Sequence, residues 1–266
     1  MTTMNIANEP VGYRDEGDKD APAVLLFHGA GATKDTNWDG VFAALRGRAR
    51  VVAVDLPGSG ETPLPGGALS IEHIVDLATG VLDALSLRHA HVVGYSLGGA
   101  VAATFAATRP ARTRALTLLA PVAHADTRAR FAFDTWRRLY ERDVELFVRV
   151  ALLTGTGKHT FASMSDDDVA RLVATFASIT PAGLGAQAEL LTRIDVRPLL
   201  PRVVAPTRVI GFTLDEQVPL EQARAIASGV TGAELRERPW AHLAPWQETN
   251  AFVAEVVESV GQRSGG

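Results

Sequence analysis

The sequence predicts an α/β protein with a mainly parallel central sheet flanked by helices. Three observations carry the prediction. Strand-like apolar runs alternate with helical patterns along most of the 266 residues, the order a parallel sheet needs because each crossover must return over the sheet. At one junction, Gly94-Tyr95-Ser96-Leu97-Gly98, a serine stands between an apolar run and an alanine-rich helical stretch. That strand–turn–helix context gives the G-x-S-x-G pattern its meaning. Between about Val122 and Leu191 the alternation stops, and helical patterns follow one another with no convincing strand between them.

Taken in order, a first strand is expected over 11–14 and a second over 23–28, where Ala23 to Phe27 is wholly apolar. A helix over 38–47 leads to a strand over 50–55. A helix over 70–86 precedes the strand at 90–95, and the Ala-rich helix over 97–108 precedes a strand at 114–120. Arg128 to Arg142, Val144 to Leu153 and Asp166 to Ile179 read as helices. Ser165 caps the third, and the acids after it favour the positive end of its dipole. A strand over 206–212, a helix over 216–228, a strand over 233–238 and a helix over 245–260 complete the chain. The tail from Gly261 to Gly266 is expected to fray.

At the 94–98 turn, glycines on both sides let strand and helix approach closely around Ser96 and tolerate strained backbone angles. A serine hydroxyl is a weak nucleophile and needs a base oriented by an acid. In a strand–turn–helix arrangement of this kind the acid and then the histidine follow the serine, each at a later strand end. Asp215 and His242 stand at those positions, after the runs ending at Phe212 and Arg238. An oxyanion needs two backbone N–H groups. The residue after the serine, Leu97, supplies one, and the loop after an early strand, His28-Gly29-Ala30-Gly31, supplies the other, with Ala30 the donor expected there.

With these pieces the chain resembles the α/β-hydrolase superfamily, in its serine-nucleophile, esterase- and lactonase-like branch with a helical cap. The resemblance covers nearly the whole sequence. It adds Asp55-Leu56-Pro57-Gly58-Ser59-Gly60, which looks like the family's D-x-P-G-x-G turn, and Asp215 to Pro219, which looks like its acid loop. It favours Asp215 over the neighbouring Glu216 as the acid. Ala241 stands where the family usually has glycine before the histidine. The resemblance implies a core domain of 1–121 and 192–266 with a cap insertion of 122–191. The cap carries Phe131, Phe133, Trp136, Tyr140, Phe147, Phe161 and Phe176. Most of these are expected to pack it onto the core and the rest to line an apolar pocket. Gly29, Tyr95, Trp136 and Leu243 are the expected substrate contacts.

The implied activity is hydrolysis of a small apolar or aromatic carboxylic ester or lactone through an acyl-enzyme. Carbon–carbon hydrolysis of an activated diketone ranks second and thioester hydrolysis third. Non-hydrolytic binding or cyclisation on the same fold is the alternative outside enzymes. The expected partner is a small-molecule substrate, with a homodimer left open, and no cofactor is called for.

Composition narrows the remaining classes. There is no cysteine, so disulfides and thiolate metal sites are excluded. A net charge of −4 gives no electrostatic reason for nucleic-acid binding. The first ten residues lack the basic-then-apolar pattern of a secretion signal, and no run approaches about 18 apolar residues, so a cytoplasmic protein without a membrane span is expected. Gly29-Ala30-Gly31 imitates a dinucleotide fingerprint but has Lys34 in place of its third glycine. No set of metal ligands is evident: His89 and His91 are expected to be exposed at a strand start, His28 to shape its loop, and His73 to lie on a helix surface.

Overall fold

The computed structural model describes residues 2–162 and 164–261. Of the tail expected to fray, Gly261 closes the last helix and 262–266 lie outside the described residues. The chain opens with β1 (Thr3–Ile6) and β2 (Glu9–Glu16), an antiparallel hairpin. Ala7 and Asn8 at its tip both have positive φ, 50° and 70°, the backbone a two-residue turn needs to follow the strand twist. β3 (Ala23–Phe27), α1 (Lys34–Leu45), β4 (Arg50–Val54), α2 (Ile71–Ala84), β5 (Ala90–Tyr95), α3 (Leu97–Thr108) and β6 (Thr113–Leu119) follow in alternation.

Four helices then run without an intervening strand among the described residues: α4 (Thr127–Arg142), α5 (Val144–Gly155), α6 (Asp166–Ile179) and α7 (Leu184–Leu191). The chain enters and leaves this helical stretch side by side. The Ala125 N–H donates to Ile194 O (2.7 Å) and the Val196 N–H to Ala123 O (2.9 Å). Alternation resumes with β7 (Thr207–Phe212), α8 (Leu220–Gly229), β8 (Glu234–Arg238), α9 (Ala244–Gln247) and α10 (Thr249–Gly261).

The eight strands form one sheet in the order β1-β2-β4-β3-β5-β6-β7-β8, parallel from β4 through β8. From β3 the chain steps outward to β4, then crosses back to place β5 on the other side of β3. The reversal leaves a crevice beyond the carboxyl ends of β3 and β5, where ligands bind in open α/β sheets. One face of the sheet is covered by α1 and α10, through Trp38, Phe42, Phe252 and Val256. The other is covered by α2, α3 and α8, through Ile74, Val101, Phe105 and Ile226. From Leu97 to Ala107 every residue of α3 is buried, which its small side chains permit.

Several expectations needed adjustment. β1 was not anticipated, because its half-exposed Thr-Met-Asn-Ile has little apolar pattern to detect. α1 begins four residues early: the Thr33 side chain caps it in a reciprocal box with Thr36. The helix placed at 216–228 starts only at Leu220, since Asp215 holds the N–H groups of Gln217 and Val218 in a turn. The last helix is broken at Glu248 into α9 and α10. His91 is not exposed: it is buried and its Nε2 lies 2.8 Å from Thr117 Oγ1 on β6. Among the described residues, no single helix is long and apolar enough to cross a membrane.

Candidate active site

Ser96 lies between β5 and α3 with φ 55° and ψ −118°, a conformation that costs a non-glycine residue energy and recurs where a nucleophile is displayed. The turn is possible because its neighbours are bare. A Cβ on Gly94 would stand 2.1 Å from the Gly98 carbonyl oxygen, and one on Gly98 would stand 2.2 Å from the Phe27 oxygen. The Ser96 N–H is tied to Leu119 O at 3.0 Å, so the strained residue is held from the adjacent strand.

Two loops converge on this serine. His242 follows β8, and its Nε2 is 3.1 Å from Ser96 Oγ. Its Nδ1 is 2.5 Å from Asp215 Oδ2 in the loop after β7. Asp215 Oδ1 accepts from the Gln217 N–H (2.9 Å) and the Val218 N–H (2.8 Å), which fixes the carboxylate. An acceptor-only carboxylate at Nδ1 leaves Nε2 free to take the serine proton. All three side chains are buried. Ala241 carries its Cβ without a positive φ, so the histidine loop does not need glycine there.

Tyr95 sits under the histidine. Its ring centroid is 5.2 Å from that of His242, and its hydroxyl donates to the His242 carbonyl at 2.5 Å. Burial, with the Asp215 charge adding, pushes the phenol well above its ordinary range, so it stays a neutral donor.

The loop after β3 presents four consecutive amides with different fates. The Gly29 N–H donates to Asn37 Oδ1 (2.9 Å), the Gly31 N–H to Gln187 Oε1 (3.0 Å) and the Ala32 N–H to Gly29 O (3.3 Å). The Ala30 N–H has no acceptor among the described residues, and neither does that of Leu97 at the start of α3. Unpaired, fixed N–H groups beside a serine can stabilise a developing oxygen anion. The orientation of the Ala30 amide follows from its peptide plane. Gly29 O accepts from Ala32 and lies 2.8 Å from His28 Nδ1, and a trans peptide points its N–H the opposite way. His28 is fully buried and its Nε2 accepts the Leu56 N–H at 2.9 Å. Its loop-shaping role is therefore physical. Burial first, and then the nearby Lys34 charge, lowers its pKa to about 4 against the pull of the Gly29 carbonyl.

Above Ser96 lies a cavity walled on the sheet side by Ala30, Tyr95 and Leu243 and on the helical side by Phe133, Trp136 and Phe147. Trp136 packs edge-on against both phenylalanines, and Phe176 meets Trp246 at the rim. Of the helical aromatics, Phe133, Trp136 and Phe147 both belong to the main apolar cluster and face the cavity, Phe176 packs against that cluster and also faces the cavity, and Phe131 is 77% exposed. Of the expected contacts, Tyr95, Trp136 and Leu243 are on the wall. Gly29 lies behind it, where a Cβ would come within 3.0 Å of the Tyr95 ring. Among the described residues no group of three or more His, Asp or Glu side chains could hold a metal ion.

Three residues that sequence reasoning passed over shape the site. Asn37 holds the Gly29 amide. Gln217 joins the Asp215 loop to α5, donating to Ala151 O at 2.7 Å. Gln187 reaches the Gly31 amide from α7. Only Gln217 had a signal, its place two residues after the acid. Lys34, which spoiled the nucleotide fingerprint, is buried on Asp55 (2.8 Å) and Glu61 (2.6 Å). It anchors the turn after β4 to α1.

Comparison with known proteins agrees with this architecture. The alpha/beta hydrolase fold family matches residues 22–249. Pyrrolizixenacetamide deacetylase of Xenorhabdus hominickii is 32% identical over 255 residues, covering 95% of both chains. The pimeloyl-acyl-carrier protein methyl ester esterase of Aeromonas hydrophila is 29% identical over 74% of this chain and 79% of its own. Among solved structures, the enol-lactonase from Burkholderia xenovorans LB400 superposes with a TM-score of 0.87 at 22% identity, covering 98% of this chain and all of that one.

Proposed function

This chain is a hydrolase of the alpha/beta hydrolase fold family, and we propose that it cleaves a small apolar or aromatic carboxylic ester or lactone through an acyl-enzyme on Ser96. The observation that carries the reading is the relay Ser96 Oγ–His242 Nε2 and His242 Nδ1–Asp215 Oδ2 at 3.1 and 2.5 Å, at the floor of an aromatic cavity. Ser96 Oγ attacks the carbonyl carbon as His242 takes its proton, and Asp215 stabilises the imidazolium. The Ala30 and Leu97 N–H groups hold the oxyanion. His242 returns the proton to the leaving oxygen, which departs as the alcohol. Water then attacks the acyl carbon as His242 takes one of its protons, and the C–O bond to Ser96 breaks as His242 returns that proton to Ser96 Oγ, releasing the acid. In this reading the helices α4–α7 form a cap over the nucleophile.

An amide substrate is the second reading, favoured by the relative named as a deacetylase, which is 32% identical over almost the whole chain. Both readings share the acyl-enzyme and differ only in the leaving atom.

The test is intact mass after exposure to a fluorophosphonate, followed by turnover of matched aryl esters and anilides. Wild type should gain one adduct that Ser96→Ala does not. Ester turnover should fall on the order of 10⁴-fold or more in that variant. A variant that keeps most of its activity overturns the serine mechanism.

A further inference from the structure

A buried carboxamide on α7 fastens the helical stretch to two of the sheet loops at once. Gln187, on α7, has no solvent exposure. Its Oε1 accepts the Gly31 N–H at 3.0 Å, and its Nε2 donates to Pro57 O at 3.1 Å and Ser59 Oγ at 2.9 Å. One accepted and two donated bonds define which end of the amide is oxygen and use both of its N–H groups. At the start of the same helix the Gly183 N–H donates to Gly58 O at 2.8 Å. α7 is thus joined at two points to the turn after β4, and through Gln187 also to the loop after β3.

The bond to Gly31 matters because of the residue before it. Ala30 sits between two peptide planes. The Gly29–Ala30 plane is held by its carbonyl, on Ala32 and His28. The Ala30–Gly31 plane is held at its N–H, on Gln187. The first plane carries the Ala30 N–H, and its carbonyl keeps the Ala32 N–H only while Gly31, between the two, stays in place on Gln187. Release of Gly31 loosens the turn closed by the Ala32 N–H on Gly29 O, and the first plane is then free to tilt and carry the Ala30 N–H toward another acceptor.

We propose that Gln187 is a positioning residue that aims the Ala30 N–H at the oxyanion, so that this donor is in place only while α7 is seated on the sheet loops. The proposal rests on the serine-hydrolase reading above. Gln187 neither touches the serine nor lines the cavity, and acts through Gly31, which does line it.

The test compares Gln187→Met, similar in volume and shape, with Leu190→Ala. Leu190 is a buried residue on the same helix that neither lines the cavity nor bonds to Gly31. Readouts are kcat and KM for a neutral aryl ester, and inhibition by a trifluoromethyl ketone, which forms an oxyanion, beside the corresponding alcohol, which does not. Gln187→Met should lower kcat by about 10- to 100-fold, less than the roughly 10²–10³ lost with a whole donor, with KM within about threefold. Ketone affinity should fall in parallel while alcohol affinity holds. Leu190→Ala should lower the melting temperature and leave the ketone-to-alcohol ratio as in wild type. Gln187→Asn withdraws the amide by one methylene, carries the same expectation and serves if the methionine variant does not fold. A wild-type kcat and ketone-to-alcohol ratio in the folded Gln187 variant overturns the proposal, as does an equal change in that ratio in Leu190→Ala. Fluorophosphonate labelling of wild-type Ser96 separates the two failures. A labelled serine with unaffected Gln187 variants sinks only the positioning role, and an active Ser96→Ala enzyme sinks the reading beneath it.

Discussion

The hydroxyl of Tyr95 donates to the backbone carbonyl of His242 at 2.5 Å, so the residue before Ser96 holds the loop that carries the imidazole. Tyr95 ends β5 and His242 follows β8, 147 residues apart, and this bond ties the loop of the imidazole to the strand that leads into Ser96. Tyr95 was expected to touch substrate. Its ring does face the cavity, but its polar atom serves the protein.

Tyr95→Phe keeps the ring and removes that donor, leaving a buried carbonyl unpaired. The variant should lose about 1–3 kcal/mol of stability and roughly tenfold in kcat, with KM little changed because the wall is intact. Thermal melts and steady-state rates on one neutral ester check both. Unaltered kcat would show that the histidine loop is held adequately by Leu243 N–H on Gly155 O.

Much of this arrangement was legible because close packing forces particular residues. Gly94 and Gly98 have no room for a Cβ, and Ser96 lies at the only kind of turn they can build. Asp215 and His242 were readable because strand-end loops lie beside each other in a parallel sheet. Bonds between distant elements left no local trace. Gln187 is a polar residue in an ordinary helical run, and only the fold brings it to Gly31. His91 looked like a surface residue at a strand start, yet β6 covers it and offers Thr117. The hairpin at Thr3–Ile6 escaped because Ala7 and Asn8 make its turn without glycine.

His28 links the loop after β3 to the pH range in which the protein stands. Folded, it resists protonation until about pH 4, whereas an unfolded histidine takes up its proton near 6.5. Between those values the unfolded state binds more protons. Stability is therefore complete above about pH 6.5 and is lost as pH falls toward 4, by roughly 3 kcal/mol at most. Urea unfolding at pH 7.5, 6 and 5 should show the decline in wild type and a shallower one in His28→Asn. Equal slopes in the two proteins would remove His28 as the cause.

The cavity above Ser96 predicts which esters the protein turns over. Phe133, Trp136, Phe147 and Phe176 build its helical side, and none of the described residues lining it is Lys, Arg, Asp or Glu. The lining hydroxyls other than that of Ser96 are already engaged: Tyr95 on His242 O, Thr180 Oγ1 on Phe176 O at 2.7 Å, and Thr36 Oγ1 with the backbone of Thr33. A substrate carboxylate entering here would shed water and meet no cation, a cost that buried ions recover only from a partner. An aryl pentanoate should therefore exceed, by about 100-fold or more in kcat/KM, the aryl ester whose terminal methyl is replaced by carboxylate. Ile179 lines the mouth and is 40% exposed, so Ile179→Lys can place an ammonium at the rim while its stem stays on the wall. That variant should narrow the gap by raising the rate of the anionic ester, with the neutral one nearly unchanged. Comparable rates for the two esters in wild type would mean that the acyl chain lies outside the aromatic walls, along a path the cavity does not define.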